Sequence, residues 1–168
     1  MKPETVIRPY SVLLGCALLV FVLDRLSKAM VMARMALGDS VPLWPSLSEG
    51  LLHITYVRNT GAAFSLFSHY PQALFWVGAG LVGLMGAVSV WCFVKKIPVN
   101  TLLAVVVGFV LGGAAGNLLD RWQFGAVVDF IDVQIIHYPV FNVADSFICI
   151  GVLLGVMHYV WCQTRPAG

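Results

Sequence analysis

Four long apolar runs, about residues 10–33, 73–94, 99–119 and 140–162, set the pattern of this chain. Each is long enough, or nearly so, to cross about 30 Å of hydrocarbon as an α-helix, which satisfies its own backbone in lipid. The first run is interrupted by Asp24, Arg25 and Lys28. Two intervening stretches, about 36–70 and 120–139, break the pattern and read as outer segments. The earlier one contains Pro42 and Pro45, then Leu52-His53-Ile54-Thr55-Tyr56-Val57, whose alternation and β-branched content predict a short strand. Asn59-Thr60-Gly61 reads as a turn. In the later stretch Phe124-Gly125 predicts a bend, and residues 126–131 predict an extended or interfacial segment. Neither stretch is large enough for a separate domain. The expected fold is a single-domain, all-α membrane protein of four transmembrane helices with a small extramembrane β-type element.

Composition agrees with lipid as the solvent. Of 168 residues, 60% are hydrophobic and 11% charged, and the mean hydropathy is +0.89. A soluble domain carries about 25% charged residues. The net charge of +2, with no basic stripe interleaved with aromatics, points to no nucleic-acid partner. Lys2 and Arg8 precede an apolar stretch, and Leu13-Leu14-Gly15-Cys16 imitates the cleavage box of a lipoprotein precursor. The run before Cys16 is too short for a signal core and continues to Leu23, so the segment reads as a retained first span. An even number of spans puts both termini on one side, with Lys2, Arg8, Arg165 and the tight Lys95-Lys96 loop. Arg25, Lys28, Arg34, Arg58 and Arg121 fall towards the other side, beside Asp24, Asp39, Asp120 and Asp129. The tight basic loop decides for cytoplasmic termini. Gly108, Gly112 and Gly116, then Gly151 and Gly155, recur every fourth residue, a spacing that lets helix backbones approach closely. Contacts within one bundle are the simpler use of that spacing, so a monomer is expected.

Cys16, Cys92, Cys149 and Cys162 lie in apolar runs and read as small packing residues. His53, His69, His137 and His158 are scattered singly. No metal site and no cofactor are expected, and no Ser-His or Cys-His arrangement offers a nucleophile. The carboxylates are more informative, because an acid within lipid costs about 2.5–3.5 kcal/mol on insertion scales. Asp24 and Lys28 share a helical face, and a structural ion pair accounts for them. Asn117, Asp120 and Arg121 close the third run and read first as structural support, although Arg121 could also meet an acid, a substrate carbonyl or a lipid phosphate. Asp132 is expected to be solvated. Asn142 and Asp145 share a face early in the fourth run, and the preceding connection is long enough to bring Asp129 back to Asp145. Two close carboxylates share a proton, which suits general acid and base work. On these grounds an aspartyl hydrolase and a small proton-coupled transporter stand about level, and a non-catalytic membrane scaffold would explain the glycine spacing.

The local sequences shift that balance. Asp24-Arg25-Leu26-Ser27-Lys28 resembles the D-x-x-[TS]-K block of bacterial lipoprotein signal peptidases. Arg58-Asn59-Thr60-Gly61-Ala62-Ala63-Phe64-Ser65 resembles their N-T-G-A-A-F-S block. The run from Gly112 to Arg121 is similar to G-G-A-x-G-N-x-x-D-R, Val127-Val128-Asp129-Phe130 to V-V-D-F, and Phe141 to Ser146 to F-N-x-A-D-S. The blocks follow the family order from Asp24 to Gly151, and the departures are Arg25 where Gln is usual and Ser27 where Thr is usual. The resemblance implies a membrane aspartyl endopeptidase, signal peptidase II, that removes signal peptides from prolipoproteins just before a diacylglyceryl-modified cysteine. It implies catalytic Asp129 and Asp145, and substrate-binding or supporting Asn59, Gly61, Asn117, Arg121 and Asn142, with Asp24, Lys28 and Asp120 structural. It further implies a small extramembrane β-type cradle over about Leu51–Phe67 on the outer face, no cofactor, globomycin as the inhibitor class, and a place in the bacterial inner membrane with the site at its outer interface.

Overall fold

The computed structural model describes residues 3–43, 51–61, 66–136 and 138–164. Lys2, Pro45, Ala62, Ala63, Phe64, Ser65, His137 and Arg165, named above, lie outside the described residues. The helices are α1 (Pro3–Arg34), α2 (Pro71–Val94), α3 (Thr101–Phe124) and α4 (Val143–Thr164). All four are long and apolar enough to cross a membrane. Three short strands, β1 (Ser40–Pro42), β2 (Leu52–Asn59) and β3 (Val127–Val133), form an antiparallel sheet in the order β1-β2-β3. The alternating run from Leu52 is thus the central strand, the extended segment after Gly125 is its partner, and β1 adds an edge that the pattern did not reveal.

Helix ends follow local chemistry rather than the edges of the apolar runs. Pro71 opens α2 at a first-turn position, where its missing N–H costs nothing. Asn100 caps α3 by accepting the Leu103 N–H at 2.6 Å. The same helix continues past Leu119 through Asp120 and Arg121 to Phe124, because those polar groups face protein and do not stop it. Gly125 stops it, at φ +69°, donating its N–H to the Arg121 carbonyl.

The burial pattern is inverted relative to a soluble protein. Leu14, Trp76, Leu84 and Met157 are more than 60% exposed, whereas Asp24, Lys28, Asp120 and Asn142 have no exposed surface. The apolar exterior faces lipid and the polar groups gather between helices. Glycine makes that gathering possible. A Cβ on Gly108 would meet the Leu13 carbonyl oxygen at 2.6 Å, and one on Gly112 would collide with the Ala17 backbone, so α1 and α3 touch backbone to backbone. A Cβ on Gly113 would meet the Ala144 carbonyl oxygen at 2.7 Å, which brings α4 equally close. The fourfold glycine spacing therefore serves contacts within the bundle. By contrast α2 has no buried residue and lies against the side of α3, with Gly78 near Leu118.

Tyr10 donates to the Ile97 carbonyl at 3.0 Å, and Asn100 pairs with His158 at 3.2 Å. These contacts put the start of α1, the Lys95-Lys96 loop and the end of α4 at one end of the bundle. The sheet sits at the other end, seated on Val31 by a small core of Tyr56, Val128 and Phe130.

Candidate active site

Asp145 is placed by the start of its own helix. Asn142 accepts the Asp145 N–H on Oδ1 at 2.9 Å, and Asp145 Oδ2 accepts the Asn142 N–H at 3.3 Å. This reciprocal pair is a capping box, built with Asn and Asp in place of the commoner Ser and Glu. The other oxygen, Oδ1, accepts a hydrogen bond from Asn117 Nδ2 at 2.8 Å.

Asp129 arrives by a different route. After β3 and a 3₁₀ turn (Gln134–Ile136) the chain doubles back, and Phe141 pairs with Ile131: the Phe130 and Ile131 N–H groups donate to the Phe141 carbonyl, and Phe141 N–H donates to Ile131. The connection thus returns as a narrow loop that sets Asp129 beside Asn142. Asn142 Nδ2 reaches Asp129 Oδ1 at 2.6 Å, and Asn59, on β2 opposite Val127, also hydrogen-bonds the Asp129 carboxyl. Burial, reinforced by the Asp145 charge, pushes the Asp129 carboxyl up to about 7, against the opposing hydrogen bonds of Asn142 and Asn59 and the Lys28 charge. One asparagine therefore touches both acids, and the pair predicted from spacing is assembled in space.

Behind the acids lies a fully buried charge cluster. Lys28 Nζ donates to Asn117 Oδ1 at 2.9 Å and forms ion pairs with Asp24 Oδ2 at 2.9 Å and Asp120 Oδ2 at 2.8 Å. The predicted Asp24–Lys28 pair is present, though as an ion-pair contact outside hydrogen-bond geometry at Oδ2. Asp24 Oδ1 accepts the Ala144 N–H at 3.1 Å and so helps to satisfy the start of α4. Asp120 Oδ2 also accepts the Val128 N–H at 3.1 Å, tying α3 to β3. Arg25 forms an ion pair with Asp120. No local spacing assigns Arg25 this partner, because Asp120 lies on another helix.

Arg121 donates to the Gly61 carbonyl at 2.8 Å, and its Nε is buried without a hydrogen-bond partner among the described residues. Asn59, Asn117, Arg121, Asp129 and Asp145 line a cavity of about 300 Å³. Its apolar wall, with Val127, Phe141, Ile148 and Cys149 among its residues, was not foreseen from the sequence. Asn142, Asp24, Lys28 and Asp120 stand behind the wall and do not line it. One expectation needs correction. Asp132 is 8% exposed rather than solvated, because Thr55 of β2 and Gln134 of the following 3₁₀ turn each donate to its Oδ2 at 2.7 Å. Cys162 Sγ lies 3.8 Å from His158 Nε2, exposed and at the far end of the bundle from the acids.

A family profile described as Signal peptidase (SPase) II matches residues 16–161. The chain belongs to the signal peptidase II family. It is similar to a lipoprotein signal peptidase of Cyanothece sp., with 45% identity over 82% of this chain and 76% of that one. It is likewise similar to one of Nostoc punctiforme, with 42% identity over 82% of each. A solved bacterial membrane enzyme, 29% identical, superimposes with a TM-score of 0.76 over 100% of this chain and 97% of its own. As a signal peptidase II the protein is a multi-pass membrane protease of lipoprotein processing, and the transporter reading falls.

Proposed function

We propose that this signal peptidase II cleaves diacylglyceryl-modified prolipoproteins just before the lipidated cysteine, with Asp129 and Asp145 as the catalytic pair. The observation that carries the reading is the cavity on which both acids open, with Asn142 bonded to each. In one protonation state the ionised acid takes a proton from the attacking water. Its protonated partner hydrogen-bonds the scissile carbonyl and stabilises the developing oxyanion, and the leaving amine is protonated as the intermediate collapses. No covalent intermediate forms. Asn59 and Asn117 hold the acids, and Arg121, carried on the Gly61 carbonyl, orients a substrate carbonyl or a lipid phosphate.

The substrate's lipid and apolar signal helix partition into the bilayer, which confines the scissile bond to the interface where the acids lie. We place the chain as one peptidase domain in the bacterial inner membrane, a monomer among lipids, with cytoplasmic termini and the sheet outside as the substrate cradle. Cleavage of a lipid-modified precursor by the purified protein in detergent tests the reading. Release of the signal peptide, unaffected by EDTA and blocked by globomycin, is expected. No cleavage of the lipidated precursor, or a reversible loss in chelator, would refute it.

A further inference from the structure

The charge cluster behind the site extends to the edge of the bundle through Arg25. Its Nη1 pairs with Asp120 Oδ1, and Nη2 lies 3.5 Å from Gln123 Oε1. The Arg25 side chain is 20% exposed, while that of Asp120 has no exposed surface. Asp120 holds Lys28 and the Val128 N–H on its other oxygen. Val128 precedes Asp129 in β3, and its carbonyl accepts from Asn142 Nδ2 at 3.3 Å, the same nitrogen that donates to Asp129. A continuous run of contacts therefore leads from Arg25 to the acid pair.

The charges make the run consequential. Asp24, Asp120 and Lys28 together leave one surplus negative charge in a place with no water access, and Arg25 cancels it. We propose that Arg25 is a positioning residue for the catalytic pair, which by neutralising Asp120 sets how readily Asp129 and Asp145 give up their shared proton. The proposal rests on the assignment of that pair made above. The charged groups around the pair are Lys28 and Asp24 from α1 and Arg121 and Asp120 from α3. From the sheet, β2 presents neutral Asn59, while its Arg58 turns away to Tyr56 and the Phe124 ring. Arg25 differs from Lys28 and Arg121: it does not line the cavity, and its described side-chain partners, Asp120 and Gln123, bond to neither acid. Its loss adds a net negative charge near the pair, which disfavours the second ionisation.

The test is the pH profile of kcat/KM on a lipid-modified precursor in detergent. Arg25→Gln should move the alkaline limb upward by roughly 0.5 pH unit. One unit above the wild-type limb, it should then keep roughly three times the relative activity of the wild type. Arg25→Lys should keep the wild-type limb, and Arg25→Gln/Asp120→Asn, which removes both charges, should return towards it. Arg25→Met, neutral but with a similar stem, must repeat the Gln shift and serves if the Gln variant does not fold. An unmoved limb in the neutral variants, or an equal shift in Arg25→Lys, overturns the proposal. Turnover by Asp129→Asn would instead overturn the acid pair itself, so the two failures are separable.

Discussion

Asp145 caps α4 and faces the cavity with the same carboxylate, so substitutions there must separate structure from chemistry. Asn at 145 keeps the size and an acceptor for the Asn142 N–H, and Asn at 129 keeps an acceptor for Asn142 Nδ2. Neither can move a proton. Asp129→Asn and Asp145→Asn should each insert and fold, yet lose cleavage by several orders of magnitude in single-turnover assays. The double variant should be little worse than either, because the two act as a unit. Substantial turnover by either single variant would remove that residue from the chemistry. The Asp129 carboxyl, raised to about 7 by burial and the Asp145 charge, also fixes a sign for pH. In the proposed mechanism the pair works while it holds one proton, so kcat/KM should fall as pH rises through about 7 and above. The same shift has a stability consequence. A carboxyl with a folded value above its ordinary one favours the folded state when protonated, so its contribution is present below about 4 and is lost as pH rises through about 7. Asp129→Asn should therefore flatten the fall in Tm between pH 5 and 8. A wild-type alkaline limb far below 6 would contradict the burial argument.

At the scale of elements, close approach of α1, α3 and α4 is what brings Asp24, Lys28, Asn117, Asp120 and Asn142 within hydrogen-bond reach. Gly112 marks the tightest point, since a Cβ there would run into the Ala17 backbone rather than a side chain that could swing away. Gly112→Ala should destabilise the fold by about 1–3 kcal/mol through overpacking and lower activity as the cluster loosens. Gly86 on α2 has open space around the same position, so Gly86→Ala should be neutral or stabilising by about 0.5–1 kcal/mol through helix propensity. Thermal unfolding in one detergent compares them, and equal effects would mean that the α1–α3 contact does not matter. The strands were only partly legible. Leu52–Val57 alternates and announced itself, but β1 is three residues containing a proline, Ser40–Pro42, too short for a periodic signal. Its pairing is decided by β2, through Ser40 opposite Thr55 and Pro42 opposite His53.

Across the whole molecule, the acids and the charge cluster lie at one end of the bundle, and the start of α1, the end of α4 and the Lys95-Lys96 loop lie at the other. A cysteine placed at Phe124 should react with an impermeant thiol reagent added outside cells, and one placed at Lys96 should not, in a background lacking the four native cysteines. Labelling at Lys96 alone would invert the topology. The sequence by itself determined the four spans and the family, and it singled out the two acids that open on the cavity. Apolar runs and backbone hydrogen bonding in lipid leave few alternatives to helices, and Asp129, Asn142 and Asp145 stand out as polar groups in or beside an apolar background. Tertiary structure alone decided who touches whom. The Arg25–Asp120 pair joins residues on two helices, Asp132 accepts from Thr55 of β2, and Arg121 leans on the Gly61 carbonyl of a distant turn. These contacts depend on the distance between backbones, which the glycines permit but whose partners no local spacing encodes.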